Sequence, residues 1–170
     1  VRLLQQVQAF NQGVDPVAGV LPDGPTQLFA GAAADPQSGS WSGLRSRVQR
    51  KQRAGARFLQ TQMVTDADRL RRFVDEISAP LGLPVLAGVF LLKSAKNAAF
   101  INRVVPGANI PQATIDRLAA AANPADEGIS IAAEQVASYA GIAQGVHLMA
   151  VKAEERIPLV LERAGISSRC

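Results

Sequence analysis

The stretch PVLAGVFLL at residues 84–92 is the clearest β-strand in the sequence. It carries no polar residue, so both of its faces have to be covered. A strand of a parallel sheet that lies between helices has this composition, whereas a strand at a surface alternates apolar and polar residues. Ser94, just beyond the strand, is a typical N-cap residue and predicts a helix from 95 to about 102. The stretch therefore predicts a buried strand of an α/β sheet.

Three further strands are predicted around this one, at residues 27–33, 57–62 and 146–151. The first of them is short and apolar and is expected to be buried. Segments between the strands have the apolar spacing of helices. Because these separations are too long for hairpins, each connection is a crossover and the sheet is parallel. Helices are predicted at residues 1–10, 44–53, about 65–79, 95–102, 111–122, 125–143 and 153–164.

The predicted fold is α/β, with about four parallel strands that form half of a (β/α)8 TIM barrel, in a single domain over residues 1–170. Eight such units close a barrel, and four do not. An open sheet leaves two strand edges and apolar surface exposed. We therefore expect the chain to need a missing half of the barrel or a second copy of itself. The sequence does not begin with Met, which suggests a missing N-terminal portion.

Composition limits the cellular setting and the partners. Hydrophobic residues make up 48% and charged residues 19%, as in a globular protein. No apolar run reaches the roughly 18 residues that span a bilayer, so no membrane partner is expected. The lone cysteine, Cys170, cannot form an internal disulfide. Together with the absence of a secretory signal, this predicts a cytoplasmic protein.

A cluster of basic residues lies on and around the predicted helix 44–53. The formal net charge is +4, and much of the excess is local, at Arg45, Arg47, Arg50, Lys51, Arg53 and Arg57. Such a patch is either a solvated basic face or a site for an anionic ligand, in which Arg50 and Lys51 would bind different oxygens of one pyrophosphate. No aromatic residues alternate with these charges, which argues against a binder of single-stranded nucleic acid.

Active sites of (β/α)8 enzymes lie at the carboxyl ends of the strands, which selects few polar residues here. Gln62 ends an apolar strand, where its amide could read the edge of a heteroaromatic ring or simply bond nearby backbone. The segment 93–97 surrounds a helix N-terminus and indicates either anion binding or ordinary capping by Ser94. His147 is expected to line the sheet, and with no second His or Cys nearby no metal site is predicted.

Three segments together resemble the methylenetetrahydrofolate reductase family: AGARFLQTQ at 54–62, PVLAGVFLLKSAKNAAFINRVVPGANIP at 84–111 and GVHLMAVKAEERIPLVLERAGI at 145–166. GAAADP at 31–36 fits the strand before them. The resemblance implies the C-terminal half of a barrel that holds FAD. It also implies hydride transfer from reduced flavin to 5,10-methylenetetrahydrofolate, giving 5-methyltetrahydrofolate, with NAD(P)H as the usual electron donor.

The resemblance also implies roles for individual residues. Arg50 and Lys51 fall on the family's FAD-contacting basic pair, and Arg47 on the position of an asparagine that contacts the flavin. Gln62 falls on the glutamine that contacts the folate pterin. Asn97 lies near another amide of the folate pocket, and Phe100 near an aromatic residue that packs on substrate. The family's acids belong to the first strands of the barrel, so no catalytic residue is assigned in this chain.

Departures from the family pattern keep alternatives open. The loop after the first strand reads Ala-Ala-Ala-Asp-Pro, at 32–36, where better-known members have an aromatic residue and a histidine. Leu148-Met149-Ala150 replaces a frequent Phe-Tyr-Thr. The chain therefore looks like the shorter, divergent branch, in which some members use an electron-donor protein and some lack flavin. The alternative is a non-catalytic half-barrel that binds folate or serves in assembly.

Overall fold

The computed structural model describes residues 1–166, and the expectation for Cys170 lies outside them. Four strands form one parallel sheet in their order along the chain, which confirms the predicted α/β class and the crossover topology. A separate two-stranded antiparallel pair lies in the segment between the first helix and the first strand of this sheet. The strands are β1 (Val14–Asp15), β2 (Gly19–Val20), β3 (Gly31–Ala34), β4 (Phe58–Met63), β5 (Val85–Phe90) and β6 (Gly145–Met149).

Helices connect the strands of the parallel sheet. They are α1 (Arg2–Asn11), α2 (Trp41–Arg53), α3 (Ala67–Phe73), α4 (Ala95–Val104), α5 (Gln112–Ala120), α6 (Pro124–Ala140) and α7 (Ile157–Arg163). A π-helical turn and a 3-10 turn extend α3 to Leu81, and the second of these contains Pro80. A 3-10 turn over Glu154–Arg156 leads into α7, in whose first turn Pro158 lies.

Side chains cap four of the helices, namely Ser40 at α2, Asp66 at α3, Ser94 at α4 and Asn123 at α6. Ser94 accepts a hydrogen bond from the Asn97 N–H and caps α4, as its position predicted. The cap of α3 is Asp66, whose carboxylate accepts from the N–H groups of Asp68 and Arg69. The hydroxyl of Thr65, the residue before it, bonds Gln37 and the Asn109 carbonyl.

The core lies on the helix-facing side of the sheet. Leu59 of β4 and Val85, Ala87 and Val89 of β5 are fully buried there. They pack against apolar residues of α3 and α6, among them Leu70, Phe73, Ile129, Ala133 and Val136. Tyr139 of α6 also donates to the Val64 carbonyl at 2.7 Å, which ties α6 to the end of β4. Burying this continuous apolar surface is the main term that stabilises the sheet.

The opposite side of the sheet is only half-buried. We call it the inner face and define it by Phe58, Gln60, Leu86, His147 and Met149. The parallel register places these side chains on one side, since Gln60 is level with Leu86 and alternate residues of a strand share a face. In a closed (β/α)8 barrel, this side is the interior.

The burial expected for residues 27–33 is wrong. Only Gly31–Ala34 joins the sheet, and Leu28 and Phe29 are 50% and 67% exposed. In the described part of the chain β3 pairs on one side only, so no neighbour covers its other edge. The Asn11 side chain also bonds both the N–H and the C=O of Leu28, at 2.8 and 2.9 Å. These bonds occupy backbone groups that a longer strand would use.

Close approach of α6 to the end of β5 requires a glycine at residue 128. A Cβ added there would overlap the Leu92 carbonyl oxygen. We predict that Gly128→Ala lowers the free energy of unfolding by about 2–4 kcal/mol, because helix and strand would have to separate. Gly141, at the end of the same helix, has open space around its Cβ position. Gly141→Ala is therefore the matched control, and urea unfolding of the two variants should separate them clearly.

Candidate functional site

A cleft of about 700 Å³ lies where the inner face meets β3 and α2. The β3 backbone forms one side, and α2 contributes Arg47 and Lys51. Gln60 and Gln62 of β4 form the floor toward the centre of the sheet. The lining also includes Leu44, Val48, Phe58, Thr61, Asp35, Pro106 and Met149. The cleft thus includes carboxyl ends of strands, the position that parallel α/β folds use for ligands.

Arg47 and Lys51 give this cleft its positive charge. They are one helical turn apart and therefore share a face of α2. Arg47 donates to the Ser38 hydroxyl at 2.9 Å and Lys51 to the Ala33 carbonyl at 2.6 Å. Burial, followed by repulsion from Arg47, lowers the pKa of Lys51 below its ordinary value. Across residues 1–166 neither forms an ion pair with a carboxylate, so an anion here would meet two cations.

The Lys51 ammonium lies on the free edge of β3. Carbonyls alternate sides along a strand, and the Ala30 carbonyl accepts from Arg57 at the β4 side. The Ala33 carbonyl, an odd number of residues further on, therefore points away from β4. Lysine at a sheet edge is a common protection against unwanted strand pairing. In this structure Lys51 thus covers an edge acceptor as well as lining the cleft.

Arg50 does not join these two cations. It is exposed and does not line the cleft. The reason is helical geometry, because adjacent residues of a helix point about 100° apart. The structure therefore brings Arg47 and Lys51 together, whereas the resemblance paired Arg50 with Lys51. The FAD contact of Arg50 stays a prediction.

Gln62 lies at the carboxyl end of β4 and is exposed to the cleft. Its side-chain oxygen accepts from the Met63 N–H at 3.0 Å. One lone pair of this oxygen is therefore already bonded to nearby backbone, which was the alternative to a ligand contact for this residue. The amide nitrogen remains available as a double donor to a ligand. The position suits the pterin contact, and that role stays a prediction.

Asn97 and Phe100 lie apart from the cleft on α4. The Asn97 side-chain oxygen accepts from the Lys93 N–H at 3.2 Å, so this side chain closes the turn before the helix. Phe100 is 50% exposed, and the Arg103 guanidinium lies 5.4 Å from its ring centre. Neither residue lines the cleft. The substrate contacts of both residues stay predictions. The hydrogen bonds of the 93–97 segment are those of ordinary helix capping.

Sequence reasoning treated His147 as a lining residue and did not identify its partner. The side-chain nitrogen of Gln60 lies 2.9 Å from His147 Nδ1 across the inner face. An amide nitrogen can only donate, so in this contact Nδ1 is the acceptor. Pairing two residues 87 apart in sequence depends on strand register, which no local pattern reveals. Within the described residues no group of three or more His, Cys, Asp or Glu side chains is placed to hold a metal ion.

Gln37 is a second residue that sequence reasoning missed. It is buried, and its amide nitrogen donates to the carbonyls of Gly107 and Ala108 at 2.7 and 3.1 Å. Its oxygen accepts from both the N–H and the hydroxyl of Thr65. One side chain therefore joins the loops that follow β3, β4 and α4, and the last of these loops contributes Pro106 to the cleft.

Comparison with known proteins identifies the family. The family model described as methylenetetrahydrofolate reductase matches residues 26–165, and the chain therefore belongs to that family. This confirms the resemblance seen in the sequence. No curated protein matches the chain.

A solved structure shares the fold, with a TM-score of 0.60 at 17% sequence identity. It is that of an uncharacterized protein from Clostridium thermocellum, described as binding two copies of 5-methyl-5,6,7,8-tetrahydrofolic acid. The alignment covers 85% of this chain and 55% of that chain, so the present chain spans about half the length of this relative. No helix among residues 1–166 is long and apolar enough to cross a membrane.

The Gln37 contacts generate a stability prediction. Gln37→Ala leaves the Gly107 and Ala108 carbonyls and the Thr65 N–H without this partner, and should lower the free energy of unfolding by about 2–3 kcal/mol. Gln112→Ala removes only an exposed bond to Asp116 and should change it by less than about 0.5 kcal/mol. Thermal unfolding of both variants measures the difference. Equal stability of the two would show that water replaces the Gln37 contacts.

Proposed function

We propose that this chain forms one wall of a tetrahydrofolate-binding site in a methylenetetrahydrofolate reductase. The proposed reaction is hydride transfer from reduced FAD to 5,10-methylenetetrahydrofolate, giving 5-methyltetrahydrofolate in one-carbon metabolism in the cytoplasm. The observation that carries the proposal is the cleft in which Gln62 lies with Arg47 and Lys51. Family membership supports the reaction, and the folate described for the solved relative supports the ligand.

Gln62 is the proposed contact to the pterin. A pterin presents alternating donors and acceptors along its ring edge, and a glutamine amide can match a donor and an acceptor there. Gln62 is exposed in the cleft while its backbone belongs to a buried strand, so the amide is held on a rigid element. Rigid placement matters because the reacting carbon of the folate has to be oriented for hydride transfer.

Arg47 and Lys51 are the proposed contacts to the FAD pyrophosphate, and they fit that group. Both are cationic, both line the cleft, and neither is neutralised by a carboxylate within the described residues. Bound phosphate would relieve their mutual repulsion and raise the pKa of Lys51 toward its ordinary value. FAD supplies the hydride, while this chain contributes binding and orientation. The proposed source of electrons is NAD(P)H or an electron-donor protein.

Completion of the barrel is part of the proposal. The free edge of β3 offers the Ala33 carbonyl to a neighbouring parallel strand, and that strand would displace the Lys51 ammonium into the cleft. Four further strand–helix units, or a second copy of this chain, would provide the strand. Of these two, only further strand–helix units would also supply the acids that the reaction needs, since none is assigned in this chain.

A non-catalytic folate-binding module is the second candidate. It is favoured by the solved relative, whose description names bound 5-methyltetrahydrofolate and no reaction. The two candidate functions differ in whether the protein binds and uses flavin. A protein that binds the folate, stays colourless with FAD and oxidises no NAD(P)H is a binding module, whereas yellow protein with methylenetetrahydrofolate-dependent NAD(P)H oxidation is the reductase.

The first functional prediction concerns Gln62. Gln62→Ala removes the proposed pterin contact and should weaken binding of 5-methyltetrahydrofolate by about 10-fold, the effect of losing a hydrogen bond to a polar ligand. Isothermal titration calorimetry measures it. Gln5→Ala, an exposed glutamine of α1, is the control and should bind as the wild type does. Unchanged affinity of Gln62→Ala would remove this residue from the site.

The second functional prediction concerns the basic side of the cleft. Arg47→Met and Lys51→Met should each weaken FAD binding about 5- to 10-fold, measured by flavin fluorescence, because each removes a charge-assisted bond to phosphate. Arg53→Met, on the same helix but outside the cleft, is the control. Arg50→Met tests the residue that the resemblance assigned. Equal losses in all four variants would mean general attraction to positive charge rather than a site.

A further inference from the structure

The register between β4 and β5 changes at the carboxyl end of β4. Leu59 is level with Val85 and Gln60 with Leu86, but the next matched pair is Met63 with Gly88. Two residues of β4, Thr61 and Gln62, therefore lie opposite one residue of β5. This is a β-bulge, a feature that re-aims side chains and occurs often beside functional sites.

The Thr61 hydroxyl bonds both strands at the bulge. It accepts from the Gly88 N–H at 2.8 Å and donates to the Gln62 carbonyl at 2.7 Å. Thr61 is 3% exposed, so water does not compete freely for these bonds. The hydroxyl thus provides an acceptor for the Gly88 N–H. Through its bond to the Gln62 carbonyl it also fixes the peptide group of Gln62, the residue that points into the cleft.

Gly88 provides the space that the bulge needs. A Cβ at this position would lie 2.7 Å from the Gln62 carbonyl oxygen and 2.8 Å from that of Thr61. Both atoms belong to the backbone, so neither can move aside by changing rotamer. A side chain at residue 88 would therefore force the two strands apart at the point where the Thr61 hydroxyl joins them.

The bulge determines where Gln62 lies. In an unbroken register Gln62, rather than Met63, would be level with Gly88. Met63 instead takes that level and packs in a cluster that includes Phe90 and Met149. Gln62 is thereby shifted out of the ladder and is exposed at the cleft.

We infer that Thr61 is a positioning residue for Gln62, holding the bulge that presents the Gln62 amide to a tetrahydrofolate. The inference rests on the proposed function, because it names the residue that sets the geometry of the pterin contact. Thr61 itself touches no ligand in this proposal. Removing its hydroxyl leaves the Gly88 N–H without its acceptor and the Gln62 peptide without its tether, so the amide would lose its fixed direction.

A double-mutant cycle tests the inference with 5-methyltetrahydrofolate as the probe. Thr61→Val should weaken binding about 3- to 10-fold, no more than Gln62→Ala does, while Thr61→Ser, which keeps the hydroxyl, should stay within about 2-fold of the wild type. In a Gln62→Ala background, Thr61→Val should add less than about 2-fold. Thr114→Val is the matched control. Wild-type affinity of Thr61→Val, or the same loss in both backgrounds, would overturn the inference.

A second readout separates the inference from the proposed function. In ¹⁵N spectra without ligand, Thr61→Val should shift the Gln62 side-chain amide signals and speed hydrogen exchange at the Gly88 N–H. If the wild type does not bind the folate, the proposed function fails, and these signals still decide the positioning role. Gln62 signals that stay unchanged would contradict it. Thr61→Ala removes the same hydroxyl and replaces the valine variant if that one does not fold.

Discussion

Burial of β5 between two neighbouring strands and beneath α6 is the constraint on which the other contacts depend. The helix-facing side of this strand is fully buried at Val85, Ala87 and Val89. Gly128 lets α6 come against the end of the strand, and the Tyr139 hydroxyl bonds the end of β4. With the helix-facing side closed in this way, Gln60, Gln62 and His147 lie on the opposite side, and the buried Thr61 has its hydroxyl bonded to backbone.

The sequence allowed the sheet, its direction and its family to be predicted because these depend on patterns along the chain. The apolar run at 84–92 and the cap at Ser94 are local signals, and both agree with the structure. The exposure of Phe29 could not be predicted, since it depends on which strands flank β3. The bulge in β4 could not be predicted either, because it depends on Gly88, which belongs to another strand. The pairing of Arg47 with Lys51 could have been predicted, because residues four apart share a face of a helix. The prediction instead paired Lys51 with Arg50, its neighbour in sequence.

Charge and polarity are distributed unevenly around the cleft. The α2 side is cationic, through Arg47 and Lys51, and the β4 side carries neutral amides, through Gln60 and Gln62. A ligand that joins a phosphate group to a flat heterocycle, or two ligands that divide these features, would match both sides. The side beyond β3 is the open one, and there Lys51 bonds a strand-edge carbonyl. The proposed site is therefore shaped on two sides by this chain and needs a further strand on the third.

The Gln37 side chain has a consequence for the speed and cost of ligand binding. Because one buried amide ties three loops together, the rim of the cleft is already ordered before any ligand arrives. A ligand then loses little free energy to the immobilisation of loops, which otherwise reduces affinity. Association would also need no loop closure, so its rate would be governed by diffusion and charge rather than by a conformational step.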